Sequence, residues 1–319
     1  MNETRTTAAA TIWEEAPFEL TYRLGEIRLF TRKFRALNLR SHFFDLPADP
    51  MQPPPPFERL GHEFDVIVTR SHPIPERLPQ LTIIDGALRY VPDQFTRFHT
   101  LLAGTFEDYL AKFSSKSRST LHKKVKKFLD SGEGSGMRTF TKPHEIAEFH
   151  RLARGVSART YQERLLDAGI PEDASFVREL ESLASRNAVR AYILLLRGEA
   201  IAYLCCPAVQ DVLLYSYLGY DPAHANLSPG TVLQYLAFDE LFRDGEFRAF
   251  DFTEGQGEHK KFFGTHGTLC AKICYFPPTL GSRFWITLHL GLDRLSSALG
   301  RILERAGLKK TIKRLIRRV

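Results

Sequence analysis

The chain has 319 residues, of which 43% are hydrophobic and 25% are charged. This composition is ordinary for a globular protein and excludes a disordered, collagen-like or fibrous chain. The length exceeds the roughly 100 to 200 residues of one domain, so we expect two domains or one double domain. The formal net charge of +7 favours an anionic partner, such as a phosphate-bearing cofactor, an anionic polysaccharide, a lipid head group or RNA.

The sequence gives no signal for export or membrane insertion. Its first residues are polar and include acidic side chains, without the apolar core of a signal peptide, and no run of about 18 apolar residues follows. We therefore expect a cytoplasmic protein. The cysteines lie in apolar, strand-like surroundings without the spacing of a zinc site, so we expect buried thiols and no metal: Cys205, Cys206, Cys270 and Cys274.

The N-terminal third contains three local signals. Residues 1–11 are predicted to be disordered, and the four prolines at 53–56 indicate an exposed link, because proline fits neither a helix interior nor a central strand. The apolar run 81–84, followed by Asp85-Gly86 and a second apolar run, predicts a β-hairpin. Thr105 and Asp108 have the spacing of a helix capping box.

A basic helix is predicted over residues 117–129. Its apolar residues recur every three or four positions and would bury one stripe, leaving the basic face outward: Leu121, Val125, Phe128 and Leu129. Three interpretations of the basic face stay open: a solvated surface, a site for nucleic acid or another anionic polymer, or a wall of a substrate site. The glycine-rich segment 131–136 has no Lys-Ser or Lys-Thr pair, which excludes a P-loop and predicts a flexible connector.

The most informative stretch is 188–264. Two apolar runs, 189–196 and 201–207, flank the turn at 197–199 and predict an antiparallel strand pair. A third strand is predicted over 212–220. The turn-rich segment 221–231 then leads into a helix with apolar residues at helical spacing, and a further strand is predicted over 247–252.

A candidate phosphate site lies at the start of that helix, in the run Ser228, Pro229, Gly230 and Thr231. The first N–H groups of a helix have no intrahelical partner, and the helix dipole favours an anion there. Pro229 suits the first turn, Ser228 is suited to cap the helix, and Gly230 lets a ligand approach the backbone. The same run is also typical of a plain helix cap.

Taken together, these motifs resemble a known family. Residues 57–277 are similar to the GNAT-type acetyltransferases grouped with the CelD/BcsL proteins of cellulose biosynthesis, which are themselves similar to the FemAB-like double-GNAT transferases. The resemblance rests on a basic helix, a Thr-Tyr-Gln element, a Tyr-Asp turn, the Ser-Pro-Gly helix start, and an Asp-Phe strand followed by a glycine-containing loop and a Lys. In this chain these are residues 116–124, 158–162, 219–221, 227–230, 251–252, 255–257 and 259–262. Thr253 stands where a Gly is common, and His259 stands where a Tyr usually precedes the Lys.

The resemblance implies an α/β (α+β) fold, a tandem GNAT-like (FemAB-like) double domain with mixed central sheets, followed here by a C-terminal basic amphipathic helical tail. The expected domains are a degenerate N-terminal GNAT-like domain over 12–130, a GNAT acyltransferase domain over 131–280 and the tail over 281–319. The implied reaction moves an acetyl or related acyl group from acyl-CoA to an amine or hydroxyl of a cell-envelope or exopolysaccharide precursor, with a saccharide or lipid-linked acceptor. Two alternatives stay open: FemAB-like aminoacyl transfer from charged tRNA, and a non-catalytic binding module of a polysaccharide synthase complex.

Such a transfer needs a base for the acceptor proton and donors for the oxyanion. Glu254, Glu258 and His259 follow the 247–252 strand and are candidate bases, and an imidazole ordinarily titrates in the useful range. Lys260 matches the Lys of the family and is a candidate to hold a phosphate or the acceptor. We expect catalysis from Glu254, His259 and Lys260, and acyl-CoA binding at 228–231. The candidate acceptor-binding residues are Arg118, Lys123, Tyr161 and Tyr217.

The C-terminal tail has apolar residues at largely helical spacing and ends in a basic cluster: Lys309, Lys310, Lys313, Arg314, Arg317 and Arg318. A basic amphipathic helix of this kind is typical of contact with an anionic membrane surface, here the inner membrane, or with an acidic partner. The alternative is that its apolar stripe packs on the body of the protein.

Overall fold

The computed structural model describes residues 13–25, 27–52, 54–160, 169–255 and 257–305. The residues predicted to be disordered, 1–11, lie outside these ranges. The strands are β1 Trp13–Glu15, β2 Phe18–Leu24, β3 Ile27–Phe34, β4 Ala36–Leu39, β5 Val66–Pro73, β6 Leu81–Ile84, β7 Ala87–Leu101, β8 Gly136–Phe140, β9 Val189–Leu196, β10 Glu199–Val209, β11 Val212–Leu214, β12 Tyr217–Tyr220, β13 Ala249–Asp251 and β14 His266–Phe276. The α-helices are α1 Phe106–Ala111, α2 Ser115–Leu129, α3 Pro143–Ser157, α4 Ala174–Ser185, α5 Pro229–Asp244, α6 Glu258–Phe263 and α7 Leu280–Arg305.

The chain divides into two compact units. The first comprises the described residues up to Phe95 and from Thr268 onward, and the second comprises residues 96–267. Strands β7 and β14 each run from one unit into the other. The units differ from the predicted domains 12–130 and 131–280 because α1 and α2 belong to the second unit. Leu121 and Phe128 of α2 are buried in the same core as the apolar side of α5.

The sheet of the first unit has the strand order β1-β4-β5-β14-β7, with β6 paired to β7. Asp85 and Gly86 have positive φ angles in the β6–β7 turn, and the register of the two strands confirms the predicted hairpin. A separate antiparallel pair, β2–β3, packs against α7. The predicted proline link lies inside this unit, where Pro55 is buried rather than exposed.

The sheet of the second unit has the order β7-β13-β11-β10-β9-β8. β9 and β10 form the predicted antiparallel pair, with Arg197 and Gly198 at positive φ in the turn. β11 and β13 run parallel, so the sheet is mixed, as the predicted α/β class requires. Side chains from α1, α2, α5 and α6 share the core on one face of this sheet, and side chains from α3 and α4 share the core on the other.

Two adjacent cysteines mark the two faces of β10. Cys205 lies in the core that includes α3 and α4, whereas Cys206 lies in the core that includes α5. All four cysteines are free and buried, which confirms the prediction of buried thiols. Burial raises the pKa of Cys205 to about 12, so this thiol is held in its neutral form.

The basic helix α2 forms as predicted, with one difference at its end. Leu121, Val125 and Phe128 are buried, whereas Leu129, which was predicted to belong to the same stripe, is 43% exposed. The prediction is wrong for Leu129 because it occupies the last residue of the helix, beyond the packed stripe.

The glycine-rich segment 131–136 is a fixed turn between α2 and β8. Gly198 N–H donates to Gly134 O at 3.1 Å, and Arg197 Nε donates to Ser131 O at 2.9 Å. These bonds attach the segment to the β9–β10 turn, and both elements that it joins lie in the second unit. The prediction of a flexible connector between two halves is therefore wrong.

The helix α7 runs without a break from Leu280 to Arg305, across Gly281, Gly291 and Gly300. Ile286 and Leu290 are buried in the core that includes β2, so one apolar stripe does pack on the body of the protein. The basic cluster at 309–318 lies outside the described residues. Within the described part of the chain, no helix is both long enough and apolar enough to cross a bilayer.

Candidate functional site

The sheet of the second unit opens between β12 and β13. β11 and β13 pair as far as Tyr215, whose N–H donates to Asp251 O at 2.9 Å. A β-bulge at residues 214–216 then interrupts the predicted single strand over 212–220, so that it forms two short strands rather than one. Beyond the bulge, β12 continues along β10, while Phe252 continues along Phe98 of β7. The two strands diverge, and the edge of β12 that faces the opening has no strand partner among the described residues.

A pocket of about 460 Å³ lies at this opening. It is lined by residues of β12, by the N-terminal end of α5 and by the first turn of α6. The predicted phosphate site and two of the predicted catalytic residues meet in its wall: Ser228, Pro229, Gly230, Thr231, His259 and Lys260. Residues distant in the sequence are thus brought together by the fold, in a concave site suited to a small ligand.

The apolar part of the pocket wall comes from Tyr215, Leu218 and Tyr220. Leu218 and Tyr220 project from the same side of β12, because side chains alternate along a strand. Tyr217 was predicted instead of these two, since an apolar strand does not reveal which of its faces meets a ligand. Tyr217 lies on the other side of the sheet, with its ring centroid 5.2 Å from that of Phe176 in α4.

The N-terminus of α5 offers fewer free donors than the sequence implies. Ser228 occupies the cap position with a left-handed backbone, but its side chain makes no capping hydrogen bond. Its carbonyl accepts the N–H groups of Thr231 and Val232 at 3.0 and 3.1 Å. Pro229 has no N–H, so Gly230 carries the one N–H of the first turn without a hydrogen-bond acceptor among the described residues. An anion would meet this N–H together with the hydroxyls of Ser228 and Thr231.

Lys260 is the one side chain in the pocket wall that is ordinarily charged at neutral pH. Its ammonium donates to the carbonyl of Glu254 and lies 3.4 Å from Thr253 Oγ1. Burial lowers the pKa of Lys260 below its usual value, and nearby Arg97 lowers it further against the opposing effect of Asp251. A partly desolvated cation interacts strongly with any negative charge that develops beside it.

A buried ion pair supports the loop that holds Lys260. Asp251 is completely buried at the end of β13, and Arg97 Nε lies 3.0 Å from each of its carboxylate oxygens. Asp251 Oδ1 also accepts the Thr253 N–H at 2.9 Å. Thr253 has a φ of 59°, which is costly for a β-branched residue and free for glycine, the residue common at this place in the family. Arg97 was not predicted, since nothing near it in the sequence indicates a partner 154 positions away.

His259 lines the pocket but is poorly suited to act as the base. Its ring packs against Phe263 and Tyr215, with centroid distances of 4.9 and 5.9 Å. Burial, helped by the charge of Lys260, lowers the pKa of His259 to about 4, so the ring is neutral and weakly basic at neutral pH. This pKa lies below the range in which an ordinary histidine titrates. Its Nε2 is buried and lacks a hydrogen-bond partner among the described residues.

The two candidate glutamates are exposed, and neither lines the pocket. Glu254 follows Thr253, and its charge acts on the pKa of Lys260. Glu258 is the first residue of α6 and directly precedes His259, which lines the pocket. Of these two carboxylates, that of Glu254 is the one coupled electrostatically to the pocket.

The other predicted acceptor residues lie outside the pocket wall. Arg118 and Lys123 are on α2, which packs along α5 and contacts the 3-10 turn at 222–227, but neither residue lines the pocket. Tyr161 lies outside the described residues.

Two of the family-like motifs are joined by an ion pair. Arg159, from the 158–162 element, donates through Nε to Asp221 Oδ2 at 2.6 Å. Burial alone would raise the pKa of Asp221, but the Ala223 N–H and the Arg159 guanidinium outweigh it and lower the pKa. The pair ties the end of α3 to the turn that precedes α5. Within the described ranges, no group of three or more His, Cys, Asp or Glu side chains is placed to hold a metal ion.

A helix N-terminus and a lysine thus meet at the opening of a mixed sheet. Residues 115–261 match the family model described as an acetyltransferase (GNAT) domain, which is a little less than half of the chain. The chain therefore contains a GNAT-type acetyltransferase domain. No curated protein matches the sequence.

Several solved structures share features of the fold at low sequence identity. FemX is 11% identical, with 83% of this chain and 88% of that chain covered and a TM-score of 0.47. L-PGS from Bacillus licheniformis is 12% identical, with 82% and 85% covered and a TM-score of 0.45. The C-terminal domain of a protein named as a lysylphosphatidylglycerol synthetase from Agrobacterium fabrum is 9% identical, with 72% of each chain covered and a TM-score of 0.46.

Proposed function

We propose that the second unit transfers an acetyl or related acyl group from acyl-CoA to an amine or hydroxyl. The observation that carries the proposal is the opening between β12 and β13, which has the α5 N-terminus on one side and Lys260 on another. CoA has complementary chemistry. Its pyrophosphate suits a helix N-terminus, and the amides of its pantetheine arm suit an unpaired strand edge.

We assign the chemistry to Lys260, which lines the pocket, and to Glu254, which lies outside the pocket wall and is coupled electrostatically to Lys260. The acceptor nitrogen or oxygen attacks the thioester carbonyl, the carbon–sulfur bond breaks, and CoA leaves as the thiolate, which then takes up a proton. Lys260 stabilises the negative charge of the tetrahedral intermediate, because its ammonium is partly desolvated in the pocket wall. Glu254 takes the proton that the acceptor loses, since its carboxylate is exposed and electrostatically coupled to Lys260.

The proposed acceptor is a saccharide or lipid-linked precursor of the cell envelope or of an exopolysaccharide. Its support is the resemblance of the sequence motifs to the CelD/BcsL proteins. Arg118 and Lys123 are proposed contacts for an anionic acceptor, because α2 packs along the helix that begins at the pocket.

Titration calorimetry with acetyl-CoA tests the donor site. A Cβ at Gly230 would lie 3.8 Å from the Tyr220 ring, so Gly230→Trp places an indole in the pocket. We expect micromolar binding by the native protein and none by this variant. Gly155→Trp is the matched control, because Gly155 lies on α3 at the wall of a different pocket and has open space around it. Absence of binding by the native protein would reject acyl-CoA as the donor.

One observation favours a second candidate, aminoacyl transfer from charged tRNA. The helix α2 contains seven Lys, Arg or His residues and no acidic residue, and most of these basic side chains are exposed. Such a surface binds phosphates of a nucleic-acid backbone with strong dependence on salt. Competition separates the two donors. If tRNA binds at physiological salt, is released by Lys123→Glu and is not displaced by acetyl-CoA, tRNA becomes the preferred donor.

A further inference from the structure

The outward side of α7 carries an apolar stripe that nothing in the described structure covers. We call Leu280, Phe284, Leu295 and Leu299 the outer stripe; their exposed fractions are 88%, 58%, 48% and 39%. They lie at helical spacing on one side of α7, and Gly291, which has open space around it, lies between them.

The rotation of α7 about its axis is fixed by contacts on the opposite side. Ile286 and Leu290 are buried with residues of β2, and Tyr90 Oη lies 2.6 Å from His289 Nδ1. Near the other end of the helix, Ser296 Oγ accepts the Gly25 N–H at 2.9 Å. The outer stripe therefore cannot turn inward without breaking an established core.

The exposed apolar side chains of the first unit concentrate on β3 and α7. Of the thirteen large apolar side chains found exposed among the described residues, seven belong to β3 or α7: Ile27, Leu29, Phe30, Leu280, Phe284, Leu295 and Leu299. Scattered exposed apolar residues are normal, but a contiguous stripe along a helix is typical of an interaction surface.

The charge of this part of the sequence indicates what the surface meets. From residue 280 to the end, the chain has ten Lys and Arg residues and two Asp and Glu residues, a net charge of +8. The remainder of the chain has 34 basic and 35 acidic residues, a net charge of −1. Arg283 lies within the groove along the outer stripe. The surface of a bilayer with anionic lipids has negatively charged head groups above apolar acyl chains. An apolar stripe with positive charge beside it complements such a surface.

We propose that the outer stripe of α7 binds the surface of a bilayer that contains anionic phospholipids, with the helix lying in the plane of the interface. The proposal concerns the first unit and does not depend on the donor or acceptor of the second. Its test measures no turnover, so its failure and the failure of the proposed reaction are distinguishable.

Co-sedimentation of the full chain with vesicles tests the proposal. The probes are vesicles of phosphatidylcholine alone and vesicles with about one third phosphatidylglycerol, each at low and high salt. We expect binding to the anionic vesicles, weakened by salt, and little binding to the neutral ones. The double variant Phe284→Glu/Leu295→Glu should weaken binding about tenfold or more, because it removes two apolar anchors and adds two repelled charges.

Ile83→Glu is the matched control, since Ile83 is 61% exposed but lies on β6, away from α7 in the sequence. It should leave vesicle binding unchanged. If the double variant unfolds, Leu280→Glu replaces it, because Leu280 is 88% exposed and has little packing to lose. The proposal is overturned by absence of binding to anionic vesicles, by equal loss in the control, or by unchanged binding in the stripe variants. It is also overturned if the native chain dimerises through the stripe and the stripe variants abolish the dimer without affecting vesicle binding.

Discussion

Lys260 brings a positive charge into a pocket wall whose other side chains are neutral or apolar. If this charge stabilises the oxyanion, Lys260→Met should lower kcat by about a hundredfold to a thousandfold while acetyl-CoA still binds. Lys261→Met is the matched control, because Lys261 is the exposed neighbour on the same helix and lies outside the pocket wall. Steady-state kinetics and calorimetry of both variants check the prediction. Equal losses in the two variants would show that the effect is structural.

The pH dependence of the reaction follows from the lowered pKa of Lys260. Burial favours the neutral amine, so the ammonium is lost at a lower pH than in an ordinary lysine. Activity should therefore fall on the alkaline side as pH rises through that lowered pKa. Lys260→Arg should keep its charge and extend the active range to higher pH, although with a lower maximum because the guanidinium is larger. A pH–rate profile with the same alkaline limb for both proteins would assign that limb to another group.

His259 makes the protein sensitive to acid. Its pKa is about 4 in the folded state, against about 6.5 for an ordinary histidine, so between these values the unfolded chain binds a proton that the folded chain does not. Stability contributed by the neutral ring is thus present at neutral pH and is lost as pH falls. His259→Phe removes the titrating group. Between pH 7 and 4.5 the free energy of unfolding should decrease in both proteins, and the decrease should be about 2 kcal/mol smaller in the variant than in the native protein. Denaturant titrations at the two pH values measure the difference, and parallel losses would contradict the assignment.

Residues differ in how far the sequence alone reveals them. Two residues of the pocket wall were singled out from the sequence. Gly230 belongs to a helix start whose chemistry is local, and Lys260 was singled out by the resemblance of its loop to a known family. Arg97 could not be predicted, since its role depends on Asp251 in a strand far along the chain. The low pKa of His259 could not be predicted either, because burial by Tyr215 and Phe263 is a property of the folded pocket.

At the scale of elements, β12 depends on a glycine that is packed against a tyrosine. A Cβ at Gly219 would lie 2.4 Å from the Tyr203 ring, well inside contact distance. Gly219→Ala should therefore displace β12 from β10 and destabilise the protein by about 1 to 3 kcal/mol. Because Leu218 and Tyr220 of the same strand line the pocket, acetyl-CoA binding should weaken as well. Thermal unfolding and calorimetry measure the two effects.

Two controls separate this clash from a general effect of alanine. Gly136→Ala, in strand β8 of the same sheet, has open space around its Cβ and should leave both measurements unchanged. Adding Tyr203→Leu to Gly219→Ala removes the ring that the Cβ meets, so part of the lost stability should return. If the double variant is no more stable than Gly219→Ala, the clash is not the cause.

The individual strands and helices are largely predictable from the sequence, whereas the divergence of β12 from β13 is not. The β9–β10 pair, the start of α5 and the capping box of α1 each depend on a few adjacent residues, and the structure confirms all three. The bulge that splits the predicted strand over 212–220 depends on β10 on one side and β13 on the other. No local sequence pattern indicates that these residues pair with two different strands. The opening that forms the pocket could therefore not be predicted from the sequence.

At the scale of the whole molecule, the order of residues along the chain conceals the division into units. The second unit is inserted between two parts of the first, and both junctions fall within strands, β7 and β14. From sequence, a domain boundary is expected in a loop or linker, so the boundary was predicted at the glycine-rich segment 131–136. A continuous strand carries no such signal.

The shared strands predict how the protein responds to its donor. Each unit contributes residues to β7 and β14, so loss of either strand from one unit disturbs the sheet of the other, and we expect a single cooperative unfolding transition. Acetyl-CoA at about one hundred times its Kd stabilises the folded state by about 2.7 kcal/mol. The midpoint temperature of the whole transition should therefore rise by about 5 °C. Scanning calorimetry with and without acetyl-CoA checks this, and Gly230→Trp should show no shift because its pocket is filled. Two transitions, of which acetyl-CoA moves one, would show that the units unfold independently in spite of the strands that they share.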